Sequence, residues 1–246
     1  MKIDSRFIDP IVNMDKEGLN GASFIARWNE EERTRFNNIY CDCLELLTKF
    51  RPLNEPLITQ LFPNWKEVIA NWEVVFSIGH GHEQEFFITS SDGKRIILLD
   101  LIRVKYSLEK GYDLEVLVLE KLTRQLVIDC ISKTLPYPTD YRSQLAYLTY
   151  QYGLAYLLSY SDCIEEYQFA PLIKEHYEPS KQKFIEAYFE EDKVVQFDNL
   201  QDGISGHYWQ RFAMVTGKLF FAQHVLELPT LLQNDLSTIM NKIFNE

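Results

Sequence analysis

The chain has 246 residues, 46% of them hydrophobic and 14% aromatic, enough for one domain with a substantial core. A formal net charge of −11, with no run of Lys and Arg, excludes a nucleic-acid surface of the usual basic kind. No apolar run reaches the ~18 residues that span a bilayer, and MKIDSRFIDP has no apolar stretch after its lysine, so a cytoplasmic protein without membrane contact is expected.

Taken in order, residues 1–28 carry Asp9-Pro10 and an Asn20-Gly21 turn signal and read as loop with short helical pieces. From Asn29 an Asn cap followed by Glu30, Glu31 and Glu32 opens a helix, which closes at Lys49 and Arg51 before Pro52. A second helix over 55–71 is crossed by Pro63, which ends or kinks it. The period then changes. Residues 73–78 and 85–89 read as strands, and Asp92-Gly93 is a hairpin turn into the apolar strand 96–101. Between the first two strands lies Gly79-His80-Gly81-His82-Glu83. His80 and His82 form a weak alternative metal site, although solvent-facing turn residues are the plainer reading.

The stretch 113–132, DLEVLVLEKLTRQLVIDCIS, reads as a long helix that is apolar nearly all round and belongs inside the domain. Glu120, Lys121 and Arg124 interrupt it at positions of partial burial. Glu120 and Arg124 stand one turn apart with the acid first, the favourable order on a helix. Pro136 and Pro138 break the chain before a Tyr-rich helix capped by Thr139 or Asp140 and running to about 160. Two further helices, 163–176 and 180–192, are separated at Pro179, with His176 in a capping position at the end of the first. The clearest loop is 199–206. It leads into a helix over 207–227, whose Gly217 permits close approach of another helix, and a last amphipathic helix over 231–244 closes the core. Cys41, Cys43, Cys130 and Cys163, all in helix-like sequence, form no CxxC and no His-spaced cluster, which points to reduced structural thiols.

The segment LEKLTRQLV resembles the HExxH helix of zinc metallopeptidases, with Glu120 and Arg124 where the histidines stand and Lys121 in place of the glutamate base. QYGLAYLLS, residues 151–159, resembles the EGLA segment of predicted bacterial zinc peptidases of the gluzincin type, with Tyr152 replacing the third ligand. His207 and Tyr208 lie where, in such peptidases, the final long helix begins beside the cleft. What the resemblance implies is an α+β, mainly α fold in one domain: a helical part over 1–71, a small antiparallel sheet over 72–101, and a helical zincin-like part over 113–246. Arginine cannot ligate zinc, so the pattern implies a frame whose metal ligands have all been replaced, with no cofactor.

Three functions are then open. The first is a non-catalytic, zincin-like module that binds a peptide or protein through a cleft of Glu120, Lys121, Arg124, Tyr152, His207 and Tyr208. The second is an interaction protein with no cleft role, such as a toxin-neutralising or phage-defence factor. The third is a hydrolase using Glu120, Lys121 and Tyr152 without zinc. Oligomeric state is left open.

Overall fold

A computed structural model describes residues 1–4, 29–77, 86–91 and 94–246 of the chain, so His80, His82 and the Asp92-Gly93 turn lie outside the described residues. The chain is mainly helical with a small sheet, and it divides into two compact units, Met1–Arg51 with Lys66–Lys121, and Pro52–Trp65 with Leu122–Glu246.

The first unit is built on four strands, β1 (Lys2–Asp4), β2 (Trp72–Ser77), β3 (Phe86–Ser91) and β4 (Lys94–Asp100), in the order β1-β2-β4-β3. The sheet is mixed, which corrects the expectation of a wholly antiparallel one. β1 runs parallel to β2 and β2 parallel to β4, with Val74 opposite Ile97, while β3 pairs antiparallel with β4, Phe86 opposite Leu99. The expected pairing of β3 with β4 is therefore present, but β3 does not adjoin β2. The strand between them is β4, whose run Ile96-Ile97-Leu98-Leu99 suits the interior of a sheet better than an edge. β1 falls in a region read from sequence as loop with helical pieces.

One sheet face carries Trp72, Val74, Phe76, Ile97 and Leu99, all buried. Helix α1 (Glu30–Thr48) buries Phe36, Ile39, Tyr40, Cys43 and Leu47 along one stripe, and Tyr40 meets the Phe76 ring edge-on at 4.7 Å. Its start is a full capping box: Asn29 Oδ1 accepts from Glu32 N at 2.9 Å and Glu32 Oε2 accepts from Asn29 N at 2.9 Å. A short helix α3 (Trp65–Ala70) follows α2 (Glu55–Leu61), the two separated where Pro63 falls. After β4, Asp100 caps a helix that the apolar run had concealed, α4 (Leu101–Glu109). It ends in a Schellman motif, with Gly111 at φ +89°, Gly111 N donating to Leu108 O and Tyr112 N to Ser107 O. Helix α5 (Leu114–Thr134) belongs to the first unit as far as Lys121 and to the second from Leu122.

In the second unit the innermost helix is α9 (Phe212–Gln223), buried at every position from Phe212 to Ala222. It crosses α6 (Tyr141–Leu158) at a pair of glycines. A Cβ placed on Gly153 would lie 2.5 Å from the carbonyl carbon and 2.6 Å from Cα of Gly217, so the backbones touch where no other residue fits. Asp140 caps α6 by accepting from Ser143 N.

Helix α7 (Ala170–Tyr188) passes through Pro179, correcting the expected break into two helices. Pro179 and Glu175, whose carbonyl loses its i+4 donor, both lie on the exposed side, where water can serve that oxygen while Tyr177, Phe184 and Ala187 hold the buried side in place. His176 is accordingly inside a helix rather than capping one. The helix had been expected to begin at Cys163, yet residues 161–169 are not helical.

The expected loop over 199–206 is helical in its first half. Helix α8 (Lys193–Asp202) starts at Asp192, whose carboxylate accepts from Val194 N and Val195 N. The expected helix over 207–227 is a 3₁₀ turn, Tyr208–Gln210, then α9, then a second 3₁₀ turn, Val225–Glu227. The short α10 (Leu228–Leu231) precedes α11 (Leu236–Asn245), which starts later than expected because Asp235 caps it through Thr238 N.

Asn54 ties the start of α2 to the end of α6. It sits at φ 55° in the left-handed region that Asn tolerates better than most residues. Its amide donates to Leu158 O at 2.9 Å and Ser161 O at 2.7 Å, and its carbonyl accepts from Ile164 N at 2.9 Å. Leu158 O is one of the carbonyls a helix end leaves without a partner in its own helix.

Candidate functional site

The second unit gathers cations onto aromatic rings at one end of α6 and α9. Tyr156, near the end of α6, is almost fully buried. The guanidinium carbon of Arg124 lies over its ring at 3.7 Å, close to the best distance for a cation on a π face. Arg211, just before α9, donates from Nη1 to the Tyr156 hydroxyl at 2.7 Å, and from Nε and Nη2 to Gly206 O at 2.9 and 2.7 Å. Gly206, at φ +85°, turns the chain so that its carbonyl takes this fork. A guanidinium has five N–H groups. Three are used, so two remain on Nη1 and Nη2, and among the described residues no carboxylate pairs with Arg211.

Lys218 is the second focus. It has no solvent exposure, and its Nζ donates to the Tyr208 hydroxyl at 2.7 Å. The same nitrogen lies 3.2 Å from the centroid of the Tyr160 ring, with the Phe169 and Trp209 rings at 6.0 Å. Taking an ammonium out of water is costly; a phenol acceptor and the negative faces of aromatic rings offset part of that cost. The rings are held by one another. Tyr160 meets Tyr167 at 5.0 Å, Tyr208 meets Tyr156 at 5.8 Å and Trp209 at 4.7 Å, and Trp209 stacks on His176 at 3.8 Å with 14° between the planes. That stack places His176 from α7 against the turn before α9. Trp209 remains 37% exposed, so the cluster reaches the surface there.

Of the residues expected in a cleft, Arg124 and Tyr208 are joined through Tyr156. Tyr152 is half-buried on α6, one turn before the ring that carries the Arg124 guanidinium. His207 is exposed beside the Tyr208 turn. Glu120 and Lys121 are half-buried on α5 and belong to the first unit, with Glu120 one helical turn from Arg124.

Tyr156, Arg211 and Lys218 were not singled out from sequence. One signal was present for Lys218, the sole charge in FAMVTGKLFFA. Arg211 had none, because its role depends on a turn that brings Gly206 back to it.

The first unit has an open cleft of about 520 Å³ bordered by Asp42, Glu45, Lys49, Arg51, Asp113 and Glu115. None of the expected site residues lines it. Its Glu45 and Lys49 bond to each other at 2.6 Å as a solvated i, i+4 pair. Among the described residues no group of three or more His, Cys, Asp and Glu could hold a metal ion, and no helix is long and apolar enough to cross a membrane. No protein-family model, curated protein or solved structure matches the chain. The fold and site define a mainly helical α+β protein with a cation-aromatic cluster in its second unit.

Proposed function

We propose that the chain is a binding protein whose second unit grips an acidic peptide segment of a partner at Arg211, without hydrolysing it. The observation that carries this reading is the guanidinium of Arg211. It is partly buried and fixed by Gly206 and Tyr156, unmatched by a carboxylate among the described residues, and 5.9 Å from the centroid of the Tyr208 ring. A pre-positioned guanidinium with N–H groups to spare is suited to a carboxylate, and the neighbouring rings suit an apolar side chain next to it. The zincin resemblance fits as part of the same proposal. On that resemblance Arg124 stands in a ligand position that it cannot serve and Lys121, an ammonium without a lone pair while protonated, replaces the carboxylate base, which favours binding as the function of the retained frame.

The test is binding of a fluorescein-labelled peptide of alternating Asp and Phe, read by anisotropy, against a Lys and Phe counterpart. A chain of net charge −11 repels an acidic peptide in general, so uptake of the Asp and Phe peptide would report a specific site. Arg211→Gln should weaken it on the order of ten- to a hundredfold, the value of a hydrogen bond to a charged group. Arg211→Gln binding as well as the wild type, or a wild type that takes up neither peptide, would overturn the proposal.

A further inference from the structure

Helix α8 presents itself the wrong way round. Its body-facing positions, spaced as one helical face, are Gln196, Asn199, Leu200 and Gly203. Gln196 Nε2 donates to Glu190 O at 2.8 Å, and Asn199 Nδ2 to the Tyr141 hydroxyl at 3.2 Å. The opposite face, Val194, Phe197, Asp198 and Gln201, points to solvent. Val194 is 72% exposed and Phe197 70%, and α8 has no buried residue at all. An isolated exposed apolar residue is ordinary, but a helix that turns polar side chains inward and a valine and phenylalanine outward is not. Phe189, 56% exposed at the end of α7, lies five residues before Val194.

Arg142 lies over the Phe189 ring at 5.5 Å, whereas acids flank Val194 and Phe197 along the helix. Glu191, Asp198 and Asp202 are exposed, and among the described residues no salt bridge engages them. Lys193 is the only basic residue of α8. From this juxtaposition we infer that the outward face of α8, Val194 and Phe197 flanked by Asp198 and Asp202, docks a basic amphipathic segment of a protein partner. Apolar side chains of that segment cover Phe197 and Val194, and its lysines or arginines meet the acids. A second copy of this chain does not fit. A two-fold contact would lay this face on its own copy, where Asp198 and Asp202 outnumber Lys193, in a chain already at −11. The acidic-peptide site at Arg211 is a separate matter, since this face selects the opposite charge.

The full chain is titrated into a fluorescein-labelled helical peptide of Leu and Lys, with a Leu and Glu peptide of the same pattern as the charge control. Phe197→Ser should weaken binding of the Leu and Lys peptide roughly tenfold or more, as expected for an anchor left unburied. Asp198→Asn with Asp202→Asn should weaken it several-fold and flatten its salt dependence. Both sets change only exposed side chains, so thermal unfolding should be unaltered. Glu30→Gln with Glu31→Gln, on the solvated first turn of α1, is the control for attraction to acidic surface in general and should leave binding unchanged. The inference is overturned if the α1 and α8 acid variants weaken binding equally, or if Phe197→Ser binds as the wild type does. It is equally overturned if the wild type ignores the peptide, or if sedimentation shows a dimer that Phe197→Ser dissolves.

Discussion

Replacing Gly153 by Ala sets two effects of known size against each other. On an isolated helix the change would stabilise by about 0.8–1.0 kcal/mol, because glycine is the freer residue when unfolded. Here the new Cβ would lie 2.5 Å from Gly217 C, 2.6 Å from Gly217 Cα and 2.7 Å from Lys218 N, against 3.4 Å for ordinary contact. All three atoms are backbone, so no side chain can rotate away, and α6 and α9 must part by about 3.4 − 2.5 = 0.9 Å. A gap of that size forfeits roughly a quarter to a half of each van der Waals contact across it. Over some twenty atom pairs at ~0.15 kcal/mol each, that is about 1 kcal/mol, added to ~1–3 kcal/mol for overpacking. Net destabilisation of about 1–3 kcal/mol is expected once the propensity gain is subtracted. Urea unfolding followed by far-ultraviolet circular dichroism should show the midpoint falling by about 0.5–1.5 M. A midpoint equal to or above that of the wild type would mean that propensity wins and that the two helices do not meet at this pair.

Asn54→Ala removes two donated bonds and one accepted bond and leaves an alanine at φ 55°, so it should cost about 3 kcal/mol, while Asn54→Gly, which keeps the backbone at ease, should cost about 1 kcal/mol less; equal unfolding midpoints for Asn54→Ala and wild type would refute this account of Asn54. Of the four cysteines, Cys41 and Cys163 are exposed and should react with an aromatic disulfide reagent at pH 8 in the folded protein, whereas Cys43 and Cys130 should react only on unfolding. Burial pushes the Cys43 and Cys130 thiols up to about 12, with the charges of Asp42 and Asp129 adding to it. Their folded values lie above the unfolded value near 8.5, so the stability they contribute is complete below about pH 8.5 and is lost as pH rises toward 12. Thermal unfolding across that range should show the loss, and Cys43→Ala with Cys130→Ala should reduce it, leaving the part due to Tyr150 and Tyr177, whose phenols burial also pushes up.

Where the signal is local, the sequence was sufficient. Asn29 before three acids marks the start of α1, Pro63 separates two helices, Thr139 or Asp140 marks the start of α6, and a glycine at 217 in an apolar helix announces close approach. Each of these depends on atoms within a turn or two of the residue concerned, or on the lack of a side chain.

Only the tertiary structure decided the rest. The position of β4 between β2 and β3 follows from which strand is apolar enough for the interior, a comparison among strands that no one of them contains. Helix α7 runs through Pro179 because the proline falls on the exposed side, and α8 turns Gln196 and Asn199 inward because Glu190 O and Tyr141 receive them. Arg211 and Lys218 became parts of a site only when Gly206, Tyr156, Tyr160 and Tyr208 were brought to them from other positions in the chain. Local backbone preference is written residue by residue, but the cost of burying a charge or a proline is set by what surrounds it.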